Sequence, residues 1–354
     1  MTINHNHYLD LAFHLAEKNL GQTKLNPSVG TVIVKNGAVI STGVTSFQGR
    51  PHSEFNALNN LKNCSGASLY TTLEPCTHYG KTPPCTNIIS KKKIKNVFYA
   101  FEDPDNRTFK KAKKILSKKG IQAKLIRTKK YIKFYKSYFV NKKLSIPFVT
   151  AKIAVSKDYL TINKKEKWIT NEVSRNKVHL LRSRHDCVLS TSKSINHDDS
   201  LLNCRINGLK NIKPALFIID LKLKLKKKLS LNKYLKIRKT FIITSKTHIS
   251  KTSVYKKLGY KIIFVNKLEN KNDLNFLYKK IYKMGYSRML IETGLTFLNN
   301  LIKNKMINEL YIFKSSKKLG KNGSNNNTSI FLKKIHPKLL TINLNGDSLL
   351  KKEF

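Results

Sequence analysis

The chain has 354 residues, 40% of them hydrophobic, which is enough apolar material for two domains of ordinary size. Lys and Arg number 69 against 20 Asp and Glu, a formal charge of +49, and no apolar run reaches the roughly eighteen residues of a membrane-spanning helix. Five cysteines are too few, and odd in number, for a disulfide framework, and the polar His/Asn-rich start lacks the marks of a secretory signal. Both features point to a reducing, cytoplasmic setting.

The charge does not choose a function alone. Many cations draw in polyphosphates through counterion release, yet Lys, Asn and Ile are raised together along the whole chain. Basic runs such as 222–229 (KLKLKKKL) carry no interleaved aromatics for stacking bases. Compositional drift accounts for this better than a dedicated nucleic-acid surface, and a small phosphorylated substrate would gain from the same field.

In chain order, residues 7–19 place Tyr8, Leu11, Ala12 and Leu15 on one helical face, with Gly21 as a stop. Residues 30–34 (GTVIV) predict a buried strand, Lys35-Asn36-Gly37 a hairpin turn and 38–43 the returning strand. Helices are expected at 54–61, 86–93 and 110–119, and strands at 68–72, 97–101 and 122–126. This alternation predicts a central sheet covered by helices. A Lys/Tyr/Phe-rich stretch, 129–144, leads to a domain boundary near 145. Beyond it, strands are expected at 148–155, 187–189, 216–220, 240–244, 262–265, 288–292 and 309–314, and helices at 273–284 and 297–303. Residues 321–328 (KNGSNNNT) read as a polar loop.

Pro51-His52-Ser53-Glu54 opens a helix, and further on the chain reads Pro75-Cys76-Thr77-His78-Tyr79-Gly80-Lys81-Thr82-Pro83-Pro84-Cys85. A catalytic zinc takes three protein ligands and leaves a fourth position for water, whose pKa it lowers to about 7. His52, Cys76 and Cys85 supply an imidazole and two thiolates for such a site. Glu54, close to the His and not a ligand, is placed to take a proton from water and pass it to a leaving nitrogen. Zinc deaminases divide the labour in this way, with His-x-Glu and Pro-Cys signatures. A lone His-x-Glu or a lone Cys is commonplace; two Pro-preceded cysteines downstream of Pro-His-x-Glu are not. Cys64, Cys187 and Cys204 lack such surroundings and read as packing residues. His78 as a fourth ligand would close the site, so it reads as a substrate contact. In the second half, Glu292-Thr293-Gly294 ends a strand and opens a helix, a turn able to bind phosphate but more often simply a turn.

Eight residues separate Cys76 from Cys85, unlike the Cys-x-x-Cys of cytidine and tRNA-adenosine deaminases. The unbroken loop 75–85 resembles that of the bifunctional riboflavin-biosynthesis deaminase–reductase family, as do Asn26-Pro27-Ser28-Val29-Gly30, residues 32–37 and Asp103-Pro104. The second half is similar to that family's reductase at residues 148–152 with Ser156 and Asp158, at Trp168-Ile169-Thr170, at Asp198-Asp199 and at Glu292-Thr293-Gly294. The resemblance therefore covers almost the whole chain. It implies an α/β protein: an N-terminal cytidine-deaminase-like three-layer domain, 1–145, followed by a dihydrofolate-reductase-like domain, 146–354. It implies zinc and NADPH as cofactors. Asn26, His78, Lys81 and Thr82 would contact a pyrimidine bearing a ribose phosphate. Arg182, Leu202, Arg205 and Glu292 would hold the ribosyl-phosphate substrate of the second step, and Ala154, Trp168, Ser194, Asp198 and Gly294 would line the nicotinamide cofactor. The activity implied is hydrolytic deamination of a diamino-(phosphoribosylamino)pyrimidinone, followed by NADPH reduction of the ribosyl group to ribityl. A self-associating cytoplasmic enzyme, with neither membrane nor nucleic acid as partner, is expected.

The chain also departs from the family. Asp105-Asn106 and then Lys110-Lys111 replace an Asn-Pro and a glycine-containing loop, so lysine charge would stand in for backbone donors there. Asp158-Tyr159 stands where the family has Asp-Gly, and residues 189–194 (LSTSKS) lack the glycines of a Val-Gly-x-Gly-Thr turn. Two rival readings stay open: a nucleic-acid deaminase with an accessory domain, and a deaminase whose second domain is a scaffold.

Overall fold

Residues 30–35 feed two cores at once, because successive side chains of a strand point to opposite faces: Val32 and Val34 pack one way and Ile33 the other. The computed structural model describes residues 4–354 and divides the chain into two units, the first ending at Ser145 and the second running Ile146–Phe354. The first unit contains α1 (His5–Glu17), β1 (Gly30–Lys35), β2 (Ala38–Val44), α2 (Ser53–Leu58) and β3 (Ser68–Thr71). It continues with α3 (Cys85–Lys91), β4 (Asn96–Tyr99), α4 (Ala112–Ser117), β5 (Gln122–Leu125) and α5 (Lys136–Leu144). The sheet order is β2-β1-β3-β4-β5, with β1 antiparallel to both neighbours and β3, β4 and β5 mutually parallel.

Helices cover both faces. Leu9 and Phe13 of α1 and Tyr138 of α5 pack on Val32, Val34 and Tyr70. Leu58, Ile89 and Leu116 from α2, α3 and α4 pack on Ile33, Leu69 and Val97. The aromatic stretch 129–144, to which periodicity assigns no element, contains α5, and Tyr131 just before it stacks on Phe13 at 3.9 Å between ring centroids. Aromatic packing, not an apolar stripe, builds that layer, which is why its sequence carries so little helical signal.

Close packing of α2 on β2 depends on Gly43. A Cβ there would sit 2.2 Å from the Ser53 carbonyl oxygen and 2.5 Å from the Ala57 nitrogen. Since α2 begins directly after His52, the glycine sets how deep that end of the helix lies. Gly43→Ala should destabilise the protein by roughly 1–3 kcal/mol, as overpacked sites do. It should also lower the zinc content of the purified protein, read by metal analysis beside the melting temperature.

The second unit contains β6 (Phe148–Val155), β7 (Ile162–Asn163), α6 (Glu172–Ser183), β8 (Cys187–Thr191), α7 (Ser192–Asp198), β9 (Ala215–Ile219) and β10 (Thr240–Ser245). Then come α8 (Ser253–Leu258), β11 (Lys261–Val265), α9 (Lys271–Lys283), β12 (Arg288–Glu292), α10 (Leu295–Lys303), β13 (Glu309–Lys314), β14 (Gly323–Ser324), α11 (Ile330–Lys334), β15 (Lys338–Leu344) and β16 (Asp347–Glu353). Strands β11-β10-β9-β8-β12-β6-β13 run parallel, and β16 and β15 extend the edge as an antiparallel pair. The polar 321–328 segment carries β14, which pairs with β7. One face of the large sheet packs on α9 and α10 through Leu274, Leu277, Leu298 and Leu301. The other receives Ile195 of α7 and Tyr255 of α8 in one cluster and Val178 of α6 in another.

The start of α6 is held firmly. Asn171 caps it by accepting from Ser174 N at 2.9 Å, while Asp347 at the start of β16 accepts from Asn171 N at 2.9 Å and Ser174 Oγ at 2.7 Å. Register does the rest. Glu292 pairs with Lys152, and Ile291 pairs with Leu189, so Lys152, Glu292 and Ser190 share one face of the sheet.

Candidate active site

Three sequence-distant donors converge in the first unit. His52 caps α2, Cys85 is the first residue of α3, and Cys76 lies in the loop after β3. His52 Nδ1 is 3.6 Å from Cys76 Sγ and 3.4 Å from Cys85 Sγ, and all three donor atoms fall within 4.8 Å of one another. A tetrahedral zinc bonded to nitrogen and sulfur at ordinary lengths requires N···S separations of about 3.5 Å. The triangle therefore fits zinc in both donor chemistry and size. Cys76 Sγ also accepts from Cys85 N at 3.2 Å. A hydrogen bond from the Cys85 thiol, opposed by burial and helped by His52, holds the Cys76 thiol well below its ordinary range, which favours the thiolate.

Glu54 is buried beside this triangle and is not among its converging donors. Burial, reinforced by the charge of Cys76, pushes its carboxyl above the usual range. Ser53 Oγ donates to Glu54 Oε2 at 3.1 Å, and Thr31 Oγ1 of β1 donates to Ser53 Oγ at 2.8 Å. A hydroxyl chain thus ties the carboxylate to the sheet.

Around this centre, Asn26 Nδ2 donates to the Gly49 carbonyl at 2.9 Å, and His78 Nδ1 lies 3.1 Å from Thr108 Oγ1. Lys81 and Thr82 are exposed, and Arg50 Nη1 donates to Thr82 Oγ1 at 2.6 Å. The loop opposite is organised by Glu74, a buried carboxylate accepting from the backbone N–H of Asp103 (3.2 Å), Lys110 (3.1 Å) and Ala112 (3.0 Å). Lys111 Nζ donates to the Asn106 carbonyl at 2.7 Å, so its amine is engaged in holding its own loop. Arg50, Ser53, Glu74 and Thr108 carry no motif signal and emerge only from the fold.

In the second unit a buried carboxylate gathers cations. Glu292 accepts from Arg182 Nε at 2.6 Å and Nη2 at 2.9 Å, with Lys152 Nζ at 3.8 Å. Burial pushes the Glu292 carboxyl up, but the Arg182 charge and hydrogen bonds, with Lys152, outweigh it and hold the group at about 2. Arg205 is exposed and donates to Asn203 Oδ1 at 2.7 Å; Leu202 is buried with φ 48. Lys152 has one signal in sequence, as the lone charge in an otherwise apolar strand.

The residues expected to line a cofactor are spread along the strand ends and their loops. Ala154 lies on β6, and Ser194 lies in α7, its Oγ 3.1 Å from Thr191 Oγ1. Asp198 ends α7 and pairs with His197 at 2.6 Å. Trp168 is half exposed under the Arg175 guanidinium, 5.0 Å from its ring centroid. Gly294 caps α10, where a Cβ would lie 3.2 Å from Asn326 Nδ2, and the neighbouring Thr293 Oγ1 is a buried oxygen without a hydrogen-bond partner. A helix start with an unspent hydroxyl beside it fits a phosphate-bearing cofactor.

Two family models match: the cytidine and deoxycytidylate deaminase zinc-binding region over residues 2–101, and the RibD C-terminal domain over residues 147–340. The riboflavin biosynthesis protein RibD of Buchnera aphidicola subsp. Baizongia pistaciae is 33% identical over 330 residues, covering 88% of this chain and 87% of that protein. The chain belongs to the RibD family.

Solved RibD structures agree. A RibD of Acinetobacter baumannii superposes with a TM-score of 0.84 at 26% identity, covering 98% of both chains. A Thermotoga maritima structure, described as a diaminohydroxyphosphoribosylaminopyrimidine deaminase/5-amino-6-(5-phosphoribosylamino)uracil reductase, shares the fold with a TM-score of 0.84 at 24% identity over 99% of this chain and 98% of that one. The first unit is a cytidine-deaminase-like, zinc-binding domain and the second a RibD reductase domain of the dihydrofolate-reductase type. In the turn after β8 none of residues 189–194 has a positive φ, and Thr191 caps α7 by accepting from Ser194 N.

Proposed function

We propose that the chain performs two consecutive steps of riboflavin biosynthesis. In the first, it hydrolytically deaminates a diamino-(phosphoribosylamino)pyrimidinone; in the second, it reduces the ribosyl group of 5-amino-6-(5-phosphoribosylamino)uracil to ribityl with NADPH. The observation carrying this reading is the His52–Cys76–Cys85 triangle with a buried, non-ligating Glu54 beside it.

His52, Cys76 and Cys85 would hold a zinc ion, which would supply a water acidified to a pKa of about 7. Glu54, itself buried, accepts the proton of the attacking water and delivers it to the departing amino nitrogen. Its link to Ser53 keeps the carboxylate oriented for both transfers. Asn26 and His78 hold the pyrimidine, and Lys81 with Thr82 meets the ribose phosphate, Thr82 being fixed by Arg50.

In the second unit, a bound NADPH would supply the hydride. Trp168, Ser194, Asp198, Gly294 and Ala154 bind and orient the cofactor. Arg182, Leu202, Arg205 and Glu292 hold the substrate, with cationic side chains offsetting its phosphate. No helix among the described residues is long and apolar enough to cross a membrane, and Cys64, Cys76, Cys85, Cys187 and Cys204 are all free. The free cysteines support a cytoplasmic setting. Self-association completes the reading and is checked by light scattering.

The decisive assay follows ammonia release and NADPH oxidation separately on the diaminopyrimidine substrate. Stripping zinc with a chelator should abolish ammonia release, while NADPH oxidation supplied directly with the deaminated uracil continues. Ammonia release that survives complete zinc removal would sink the first step. Failure to oxidise NADPH with the uracil would leave the second unit a scaffold.

A further inference from the structure

Behind Arg182 and Arg205 lies a third guanidinium that the proposed chemistry does not use. Arg238 precedes β10 and is 4% exposed. Each of its nitrogens donates to a main-chain oxygen: Nε to Pro214 at 2.7 Å, Nη1 to Leu201 at 2.6 Å and Nη2 to Leu202 at 2.7 Å. Among the described residues, none of the ion pairs involves it. Burial and then the Arg182 charge pull its pKa down to about 9, which still leaves it cationic at neutral pH.

The segment it grips does not hold its own shape. Leu202 has φ 48 and Asp199 φ 45, the left-handed region that a leucine rarely adopts unless its surroundings impose it. The next residue is the junction of the site. The Asn203 carbonyl accepts from Arg182 Nη1 at 3.1 Å and lies 2.9 Å from His179 Nδ1, while Asn203 Oδ1 accepts from Arg205 Nη1 at 2.7 Å. Burial, then Arg182 and Arg205, hold His179 down at about 4, so it is neutral, and its Nδ1 faces both that carbonyl and Arg182 Nη1, the latter at 3.2 Å. Two arginines repel one another, and each needs an anchor that outlasts the absence of ligand. Glu292 holds Arg182 from one side, and Asn203 supplies a second hold on Arg182 and the anchor of Arg205; charged donors onto the two preceding carbonyls are the strongest means of fixing Asn203.

We propose that Arg238 is a positioning residue of the reductase site: by clamping the carbonyls of Leu201 and Leu202 it presets Asn203, and through it Arg182 and Arg205, for a phosphate-bearing substrate. The idea rests on the reading of Arg182 and Arg205 as substrate-phosphate residues. Preorganisation of this kind lowers the ordering entropy of binding and leaves the hydride-transfer chemistry alone.

The test measures steady-state reduction of 5-amino-6-(5-phosphoribosylamino)uracil by the full-length protein, for Arg238→Lys, Arg238→Gln, Arg205→Ala and Arg205→Ala/Arg238→Lys. Lysine keeps the charge but cannot reach three carbonyls, and it is the variant to use should glutamine prevent folding. Arg238→Lys should raise KM for the uracil roughly tenfold, with kcat within about threefold and KM for NADPH unchanged. The double variant should bind little worse than Arg205→Ala alone, because both act through Asn203. Inorganic phosphate should lose inhibitory strength in parallel. A folded Arg238→Lys protein with a lowered melting temperature but unaltered KM would overturn the proposal, as would independent, multiplicative effects in the double variant. If Arg205→Ala itself leaves KM unchanged, the phosphate assignment fails and the proposal falls with it, a result distinguishable from failure of Arg238 alone.

Discussion

Glu54→Gln is expected to keep stoichiometric zinc while lowering ammonia release by roughly 10²–10⁴-fold, the range that a positioned acid–base group contributes. The prediction follows from geometry: His52, Cys76 and Cys85 converge as the donor set and Glu54 stands outside it. Glutamine keeps the size of the side chain and an oxygen able to accept from Ser53 Oγ. What it removes is the ability to carry a proton between water and the leaving nitrogen. Metal analysis and an ammonia assay on the same preparation check it. Zinc loss would make Glu54 a ligand instead, and full activity would mean that another group moves the proton. Reduction of the separately supplied uracil should be untouched, because that chemistry belongs to the second unit.

The second large effect is expected at Glu292. Arg182 and Lys152 converge on its single carboxylate, and all three side chains are largely buried. Glu292→Gln leaves two cations in low-dielectric surroundings without their counter-charge, which should destabilise the second unit by about 3–5 kcal/mol. NADPH oxidation should vanish while ammonia release persists. Acid should act through the same group. Its pKa lies at about 2 against an ordinary 4.5, so the charged form is favoured by folding. The stabilisation is complete above the ordinary value and is lost as pH falls from 4.5 through about 2. At roughly 1.4 kcal/mol per unit, this amounts to something on the order of 3 kcal/mol. Denaturant titrations across that acid window should show the slope in the natural protein and a flatter one in Glu292→Gln. An equal slope in both would remove the assignment.

Much of this architecture is legible in the order of the residues. Strand and helix positions in the first unit follow from apolar alternation, and the zinc donors follow from a His-x-Glu and two Pro-Cys pairs, a combination too rare to be accidental. Helix α5 escapes such reading because Tyr135 at its N-cap meets Phe13 of α1 edge-on and Tyr138 and Phe139 tilt against neighbouring rings, without leaving a clean apolar stripe. Helices α6 and α7 escape for another reason: α6 is amphipathic but polar on average, and α7 is a single short element begun by Thr191. The residues that support the sites from behind are hidden in principle. Glu74 and Arg238 act on main-chain groups far away in sequence, and a residue whose partner is a backbone amide or carbonyl leaves no pattern of spacing. Lys110 and Lys111 show the converse. Their charge suggests a ligand; the Lys111 amine serves the Asn106 carbonyl, while the Lys110 amine lies 4.9 Å from the Phe109 ring centroid and its backbone N–H serves Glu74.

The turn after β6 shows what becomes of a lost glycine. Tyr159 occupies the position of a family Asp-Gly with φ 64, and its ring lies under two ammonium groups, Lys314 Nζ at 4.7 Å and Lys333 Nζ at 5.0 Å. A left-handed backbone costs an ordinary residue about 1–2 kcal/mol, and two cation–π contacts return about 0.5–1 kcal/mol each. A further contribution lies outside the folded molecule. A tyrosine explores far fewer backbone conformations than glycine in the unfolded ensemble, so less entropy is surrendered when the turn forms. In a chain so rich in lysine, a partner for such a ring is seldom far away, and the same composition that looks like drift also makes glycine-free turns easier to hold.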